Sequence, residues 1–124
     1  MATRKRGMSW ADVCAFARSL PGVEEGTSYG TPALRVRRTF LARLREDGET
    51  LVVPVDLEER PFLIDTHPRA LFVTEHYERW PLVLVALPQA DPALVRELIE
   101  DAWSERAPKR AVQAWLAEHG EATG

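Results

Sequence analysis

Residues 33–55 limit the fold of this chain most. Their apolar residues alternate with a period of two, and Asp47-Gly48 supplies a hairpin signal between two alternating runs. Asp-Gly favours a tight turn because both residues tolerate positive φ. With that turn, Glu46 faces Glu49, Leu44 faces Leu51, Ala42 faces Val53 and Phe40 faces Val55. These apolar residues then share one side of a sheet, and a one-residue slip would send them all to solvent. Keeping the same face in the preceding run places Val36 opposite Phe40. That leaves Arg37, Arg38 and Thr39 as a three-residue loop, with Leu41, Arg43 and Arg45 facing the other way. Pro54 cannot donate a ladder hydrogen bond, so its strand ends there or lies near an edge.

The flanking segments change period. Ser9 is a good N-cap with Asp12 in the capping-box position, which predicts a helix over about residues 10–20, closed by Pro21-Gly22. Residues 24–31 are polar and read as a loop. Residues 56–65 read as a short helix or turn, since Pro61 bars a long regular helix. Residues 71–74 and 82–87 read as two further strands, the second apolar on both faces and therefore interior. Asp91-Pro92 pairs an N-cap with proline at the first helical position. Leu94, Val95, Leu98, Ile99, Ala102 and Trp103 then form one amphipathic stripe. Pro108 interrupts, and a last helix over residues 109–119 stops at Gly120.

The expected fold is α+β: a two-layer sandwich with a mostly antiparallel five-stranded sheet and helices on one face, in the order α-β(3)-α-β(2)-α(α). A length of 124 residues fits a single domain, expected over residues 8–120, with a flexible basic tail over 1–7 and a frayed end over 121–124. No apolar run approaches the roughly 20 residues that span a bilayer, so no membrane association is expected. The basic start lacks an apolar stretch behind it and does not read as a secretory signal, so the expected location is cytoplasmic.

Motifs of catalysis are weak. Gly26 to Gly30 matches G-x-S-x-G, but a nucleophile elbow needs a strand before it and a helix after it, and here that order is reversed. The simpler reading is a glycine-rich loop. Cys14, the single cysteine, lies in an apolar helical stripe with Trp10, Val13 and Ala17 and reads as core. His67, His76 and His119 are scattered without metal-ligand spacing, and Glu24-Glu25 and Glu58-Glu59 read as solvated charges. There is no Walker loop and no dinucleotide fingerprint. The expectation is a non-enzymatic protein with no cofactor and no metal. Trp10, Phe16, Phe40, Phe62, Trp103 and Trp115 all fall on apolar stripes and are expected in the core, whereas Tyr29 and Tyr77 fall in loops.

Charge is the one uneven feature. The chain carries 16 Lys and Arg against 19 Asp and Glu, a net charge of −3. Residues 35–45 hold Arg35, Arg37, Arg38, Arg43 and Arg45 without an acid, and residues 1–7 add Arg4, Lys5 and Arg6. The remaining 106 residues carry 8 basic and 19 acidic side chains, a net of −11. On the register above, Arg35, Arg43 and Arg45 lie on the face away from the core and Arg37 and Arg38 at a loop tip. Such a hairpin can contact phosphates, and arginine can bond phosphate or guanine bidentately. The alternative is a solvated sheet face neutralised by Glu46, Glu49 or Glu58.

The same residues carry a family resemblance. Ser19-Leu20-Pro21-Gly22-Val23-Glu24-Glu25, then Gly30-Thr31-Pro32-Ala33-Leu34-Arg35-Val36, the Arg38-Thr39-Phe40 turn, Asp47-Gly48, the strand after Trp80-Pro81, and a late helix ending in Ala102-Trp103 occur in the order found in the MmcQ/YjbR (DUF419-type) family of small bacterial proteins. The resemblance covers about residues 8–118. It implies an α-β(3)-α-β(2)-α fold, shared in outline with type III secretion chaperones. It also implies DNA binding through a double-wing motif of β-hairpins, and brings no established catalytic residues. Arg79 stands where the family often has glycine, Pro81 follows the tryptophan, and Arg38 or Thr39 stands where lysine is common at the first hairpin turn. Two partner classes follow. One is DNA, held by Arg35, Arg37, Arg38, Arg43 and Arg45. The other is a protein partner, which would need an apolar patch outside the core, at Leu41 and Val52 on the outer face. The oligomeric state is left open.

Overall fold

The computed structural model describes residues 7–120. The basic side chains of residues 4–6 and the expected frayed end, 121–124, lie outside the described residues. Gly7, expected within the tail, packs so closely on the backbone of Leu87 and Pro88 that a Cβ there would sit 2.5 Å from the Leu87 carbonyl oxygen.

The first helix, α1 (Trp10–Ala17), starts on the expected reciprocal capping box: the Ser9 hydroxyl accepts from the Asp12 N–H, and the Asp12 carboxylate accepts from the Ser9 N–H. A run of four strands follows: β1 (Val23–Ser28), β2 (Thr31–Val36), β3 (Thr39–Leu44) and β4 (Thr50–Pro54). Then come α2 (Arg60–Thr66), the two-residue β5 (Leu71–Phe72), a 3₁₀ turn at Glu75–Tyr77, β6 (Leu82–Ala86), α3 (Pro92–Arg106) and α4 (Lys109–Trp115). The sheet is antiparallel throughout, with spatial order β1-β2-β3-β4-β6-β5. The α+β class stands as expected, with six strands in place of five.

The added strand is β1, expected to be loop. It is an edge strand paired only to β2 and mostly exposed, so it needs no buried alternating face and shows none in sequence. It joins β2 through Tyr29 (φ 54°) and Gly30 (φ 78°), the two positive φ angles of a type I′ turn.

The β2–β3 hairpin departs from expectation in its turn and its register. Val36 pairs with Thr39, so the turn is two residues long, Arg37 and Arg38, and not three. A bulge follows. Arg35 pairs with Phe40 but Leu34 with Ala42, which leaves Leu41 as the extra residue. The bulge absorbs the one-residue shift that the tight turn introduces, so Leu34, Ala42 and Leu44 still reach the core. It also moves Phe40 off the core face onto that of Arg35, half-buried, and brings Leu41 into the core. The β3–β4 register is as expected, with Leu44 opposite Leu51, but the Arg45 N–H bonds the Thr50 carbonyl and closes a four-residue loop.

The helices pack on one face. Val13 and Ala17 of α1, Val95, Ile99 and Trp103 of α3, and Val36, Leu51, Val53, Val83 and Val85 of the sheet are sealed from solvent. Trp103 anchors the layer. Its indole N–H donates to the Pro21 carbonyl at 2.8 Å, and its ring meets Trp115 edge to face. Trp10 and Phe16 pack at the margin of the core, while Phe62, expected inside, is 70% exposed. Val52 is buried on the outer face, so Leu41 and Val52 form no exposed apolar patch.

Candidate nucleic-acid interface

The five hairpin arginines divide between the two ends of β3. Arg37 and Arg38 form the exposed tip at one end. Both adopt left-handed backbone, with φ of 50° and 73°. For L-residues that conformation costs on the order of 1 kcal/mol each, and such strain collects at functional sites. Arg35 is half-buried beside the tip strand, and its guanidinium donates to the Thr27 carbonyl at 2.8 Å. Glu24 stands opposite Arg35 in the ladder, yet none of the five arginines has a carboxylate within 4.0 Å among the described residues. The alternative, a face neutralised by Glu46, Glu49 or Glu58, finds no ion pair to these residues within that distance.

At the other end, roughly 20 Å along the strand at about 3.3 Å per residue, the arginines are committed to the fold. Arg43 is 8% exposed; it donates to the Thr31 hydroxyl at 3.1 Å and to the Tyr77 hydroxyl at 2.9 Å, and its guanidinium lies 5.4 Å from the Tyr29 ring centre. Arg45 is half-buried, 5.7 Å from the Tyr77 ring centre. The expected exposed position of Arg43 is therefore corrected: its donors point to protein, not solvent. Beside Arg45, the Thr50 hydroxyl and the N–H groups of Glu49 and Thr50 bond Asp47 and hold its carboxyl below the usual range. That end of the hairpin is of mixed sign.

Two arginines outside the expected set shape the surroundings. Arg60 is buried and donates to the carbonyls of Glu78, Trp80 and Leu82, which clamps the segment before β6 to α2. Arg106 donates from Nε to the Phe40 carbonyl at 2.8 Å. It thereby ties the α3–α4 junction, with exposed Lys109 and Arg110, to the strand that leaves the arginine tip. Neither had a sequence signal, since the acceptors are main-chain carbonyls distant in sequence.

The catalytic motifs acquire no catalytic geometry. Gly26 and Ser28 lie along the edge strand β1, and Tyr29-Gly30 is its turn. The Cys14 thiol is buried, and burial, followed by the Glu25 charge, pushes its pKa up, away from the reactive thiolate. Among the described residues, no three His, Cys, Asp or Glu side chains group to hold a metal ion. No helix there is long and apolar enough to cross a membrane.

The architecture has relatives. A crystal structure of a Deinococcus radiodurans protein with a DUF419 domain is similar in fold, with a TM-score of 0.67 at 20% identity, covering 83% of this chain and 80% of that one. In sequence, the chain is 32% identical to uncharacterized proteins of Mycobacterium tuberculosis and Mycobacterium bovis, over 90% of its own length and 98% of theirs. The YjbR family model matches residues 18–105, from the end of α1 through β1–β6 to the last turn of α3. With its whole sheet and nearly all of its longest helix inside that match, this chain belongs to the YjbR family.

Proposed function

We propose that this protein is a non-enzymatic DNA-binding module that meets the phosphate backbone with the β2–β3 tip. The observation that carries the reading is the pair Arg37-Arg38. These are two exposed guanidinium groups on strained backbone, without a carboxylate partner among the described residues. Asparagine or glycine would make the same turn at less cost, which favours a role for the arginine side chains themselves. Arg35 flanks the tip, and Lys109 and Arg110 lie at the junction that Arg106 ties to β3. Arg45 is a peripheral contact at most, because its end of the hairpin also carries Glu46, Asp47 and Glu49. Arg43 supports the hairpin from within. The role is carried out in the cytoplasm, where DNA is met.

Contact through so few cations gives weak, salt-sensitive binding that is largely indifferent to sequence. The test is the affinity for a short duplex as a function of salt. Arg37→Ala with Arg38→Ala is expected to weaken binding at low salt and to reduce the slope of log affinity against log salt by about 2, close to one per lost phosphate contact. An unchanged slope, or no binding by the parent protein at low salt, refutes the reading.

A further inference from the structure

On the helical side, α2 and α3 stand apart. The space between them, bounded by the segment that leaves β4, is an open groove of about 1080 Å³. That is slightly above the roughly 300–1,000 Å³ usual for small-ligand pockets. Its floor is apolar, formed by Val55, Leu63 and Leu98, and Phe62 stands on its lip at 70% exposure. An aromatic ring so exposed gains little from the fold itself.

The walls are acidic. Glu97, Asp101 and Glu105 repeat at every fourth residue and form one stripe along α3, facing Glu58 and Glu59 across the groove. Like charges at this spacing destabilise a helix. None of these carboxylates has a cation within 4.0 Å among the described residues. Arg106 also lines the groove; its Nε and one terminal nitrogen donate to the carbonyls of Phe40 and Ala102, and it forms no ion pair with these acids within 4.0 Å. Burial, then Glu97, Glu100, Glu59 and Glu105 in that order, push the Asp101 carboxyl above its ordinary value, as expected for acids crowded without counter-charge.

We propose that the α2–α3 groove docks a basic amphipathic helix of a partner protein, its apolar residues on the floor against Phe62 and its lysines or arginines along the Glu97–Asp101–Glu105 stripe. An apolar floor needs more than a simple cation, and an acidic wall rejects an anionic or wholly apolar guest. A helix with apolar anchors at i, i+3 or i+4, and i+7 and a basic flank meets both requirements. One end of the groove, at Arg106, adjoins the strand that leaves the arginine tip, but the proposal does not rest on DNA binding.

A fluorescein-labelled synthetic helix of roughly 14 residues, with leucines at that spacing and lysines elsewhere, is the probe, read by fluorescence anisotropy. Saturable one-to-one binding is expected, with affinity falling at least tenfold in Glu97→Lys with Glu105→Lys and about threefold or more in Phe62→Ala. All three residues are exposed, so folding is retained and is checked by circular dichroism. The same peptide with glutamates in place of lysines should bind the charge-reversed variant and not the parent. The proposal is overturned by no saturable binding, by unchanged affinity in the charge-reversed variant, or by displacement of the peptide by spermidine as efficient as by unlabelled peptide, since charge alone would then be recognised. Loss of peptide binding in Arg37→Ala with Arg38→Ala would locate the contact at the tip and overturn it equally.

Discussion

Arg37 and Arg38 hold a backbone shape that other residues hold at less cost. Replacing them as Arg37→Asn with Arg38→Gly supplies the favoured dipeptide of a type I′ turn. Part of the relief is offset by the greater freedom of glycine in the unfolded chain. The net gain expected is about 1 kcal/mol, or about 4 °C in Tm by thermal unfolding, accompanied by loss of the proposed salt-dependent DNA affinity. A variant less stable than the parent would show that the tip is not strained. The turn also explains what was hidden in the sequence. Keeping the core face in phase puts Val36 opposite Phe40 and makes the loop three residues long; the Leu41 bulge that lets a two-residue turn hold the register is invisible without the paired strand. Arg43 was legible only as one more alternating arginine, because its partner Tyr77 lies 34 residues away.

Elements with strong local signals were legible in advance. The Ser9–Asp12 box, the Asp91-Pro92 start and the apolar stripe of α3 were all readable, because each depends on neighbours within a turn or two of chain. Strand β1 was not, since an exposed edge strand has no buried face to impose a pattern. Nor was the groove, whose walls come from two separate helices. Its acidic stripe on α3 has a cost that can be measured. Asp101 titrates above its unfolded value, so ionising it opposes folding. The penalty is absent in acid, where the carboxyl is protonated in both states. It grows as pH rises through the ordinary aspartate range and is complete above the raised folded value. Asp101→Asn should therefore raise Tm by about 1–2 °C at pH 7 and leave it unchanged below about pH 3.5. A gain confined to acid would contradict this account.

At the scale of the whole molecule, the net charge of −3 averages a basic tip with an acidic body. On the two proposals, a polyanion at the tip and a basic helix in the α2–α3 groove would meet fields of opposite sign, so one domain could hold both. The strand order has a separate consequence, in time. Strands β1 to β4 are consecutive neighbours joined by short turns, whereas β6 enters between β4 and β5 only after the 27 residues from Val55 to Pro81 have been looped out. Closing that loop costs chain entropy before any pairing repays it, so the meander should assemble first and β6 should dock late. Leu34→Ala is expected chiefly to slow folding, and Val85→Ala chiefly to speed unfolding, in stopped-flow denaturant jumps; the reverse assignment would rule the order out. The arginine tip joins two strands of that early meander, so it would be in place while the β6 side of the sheet is still open.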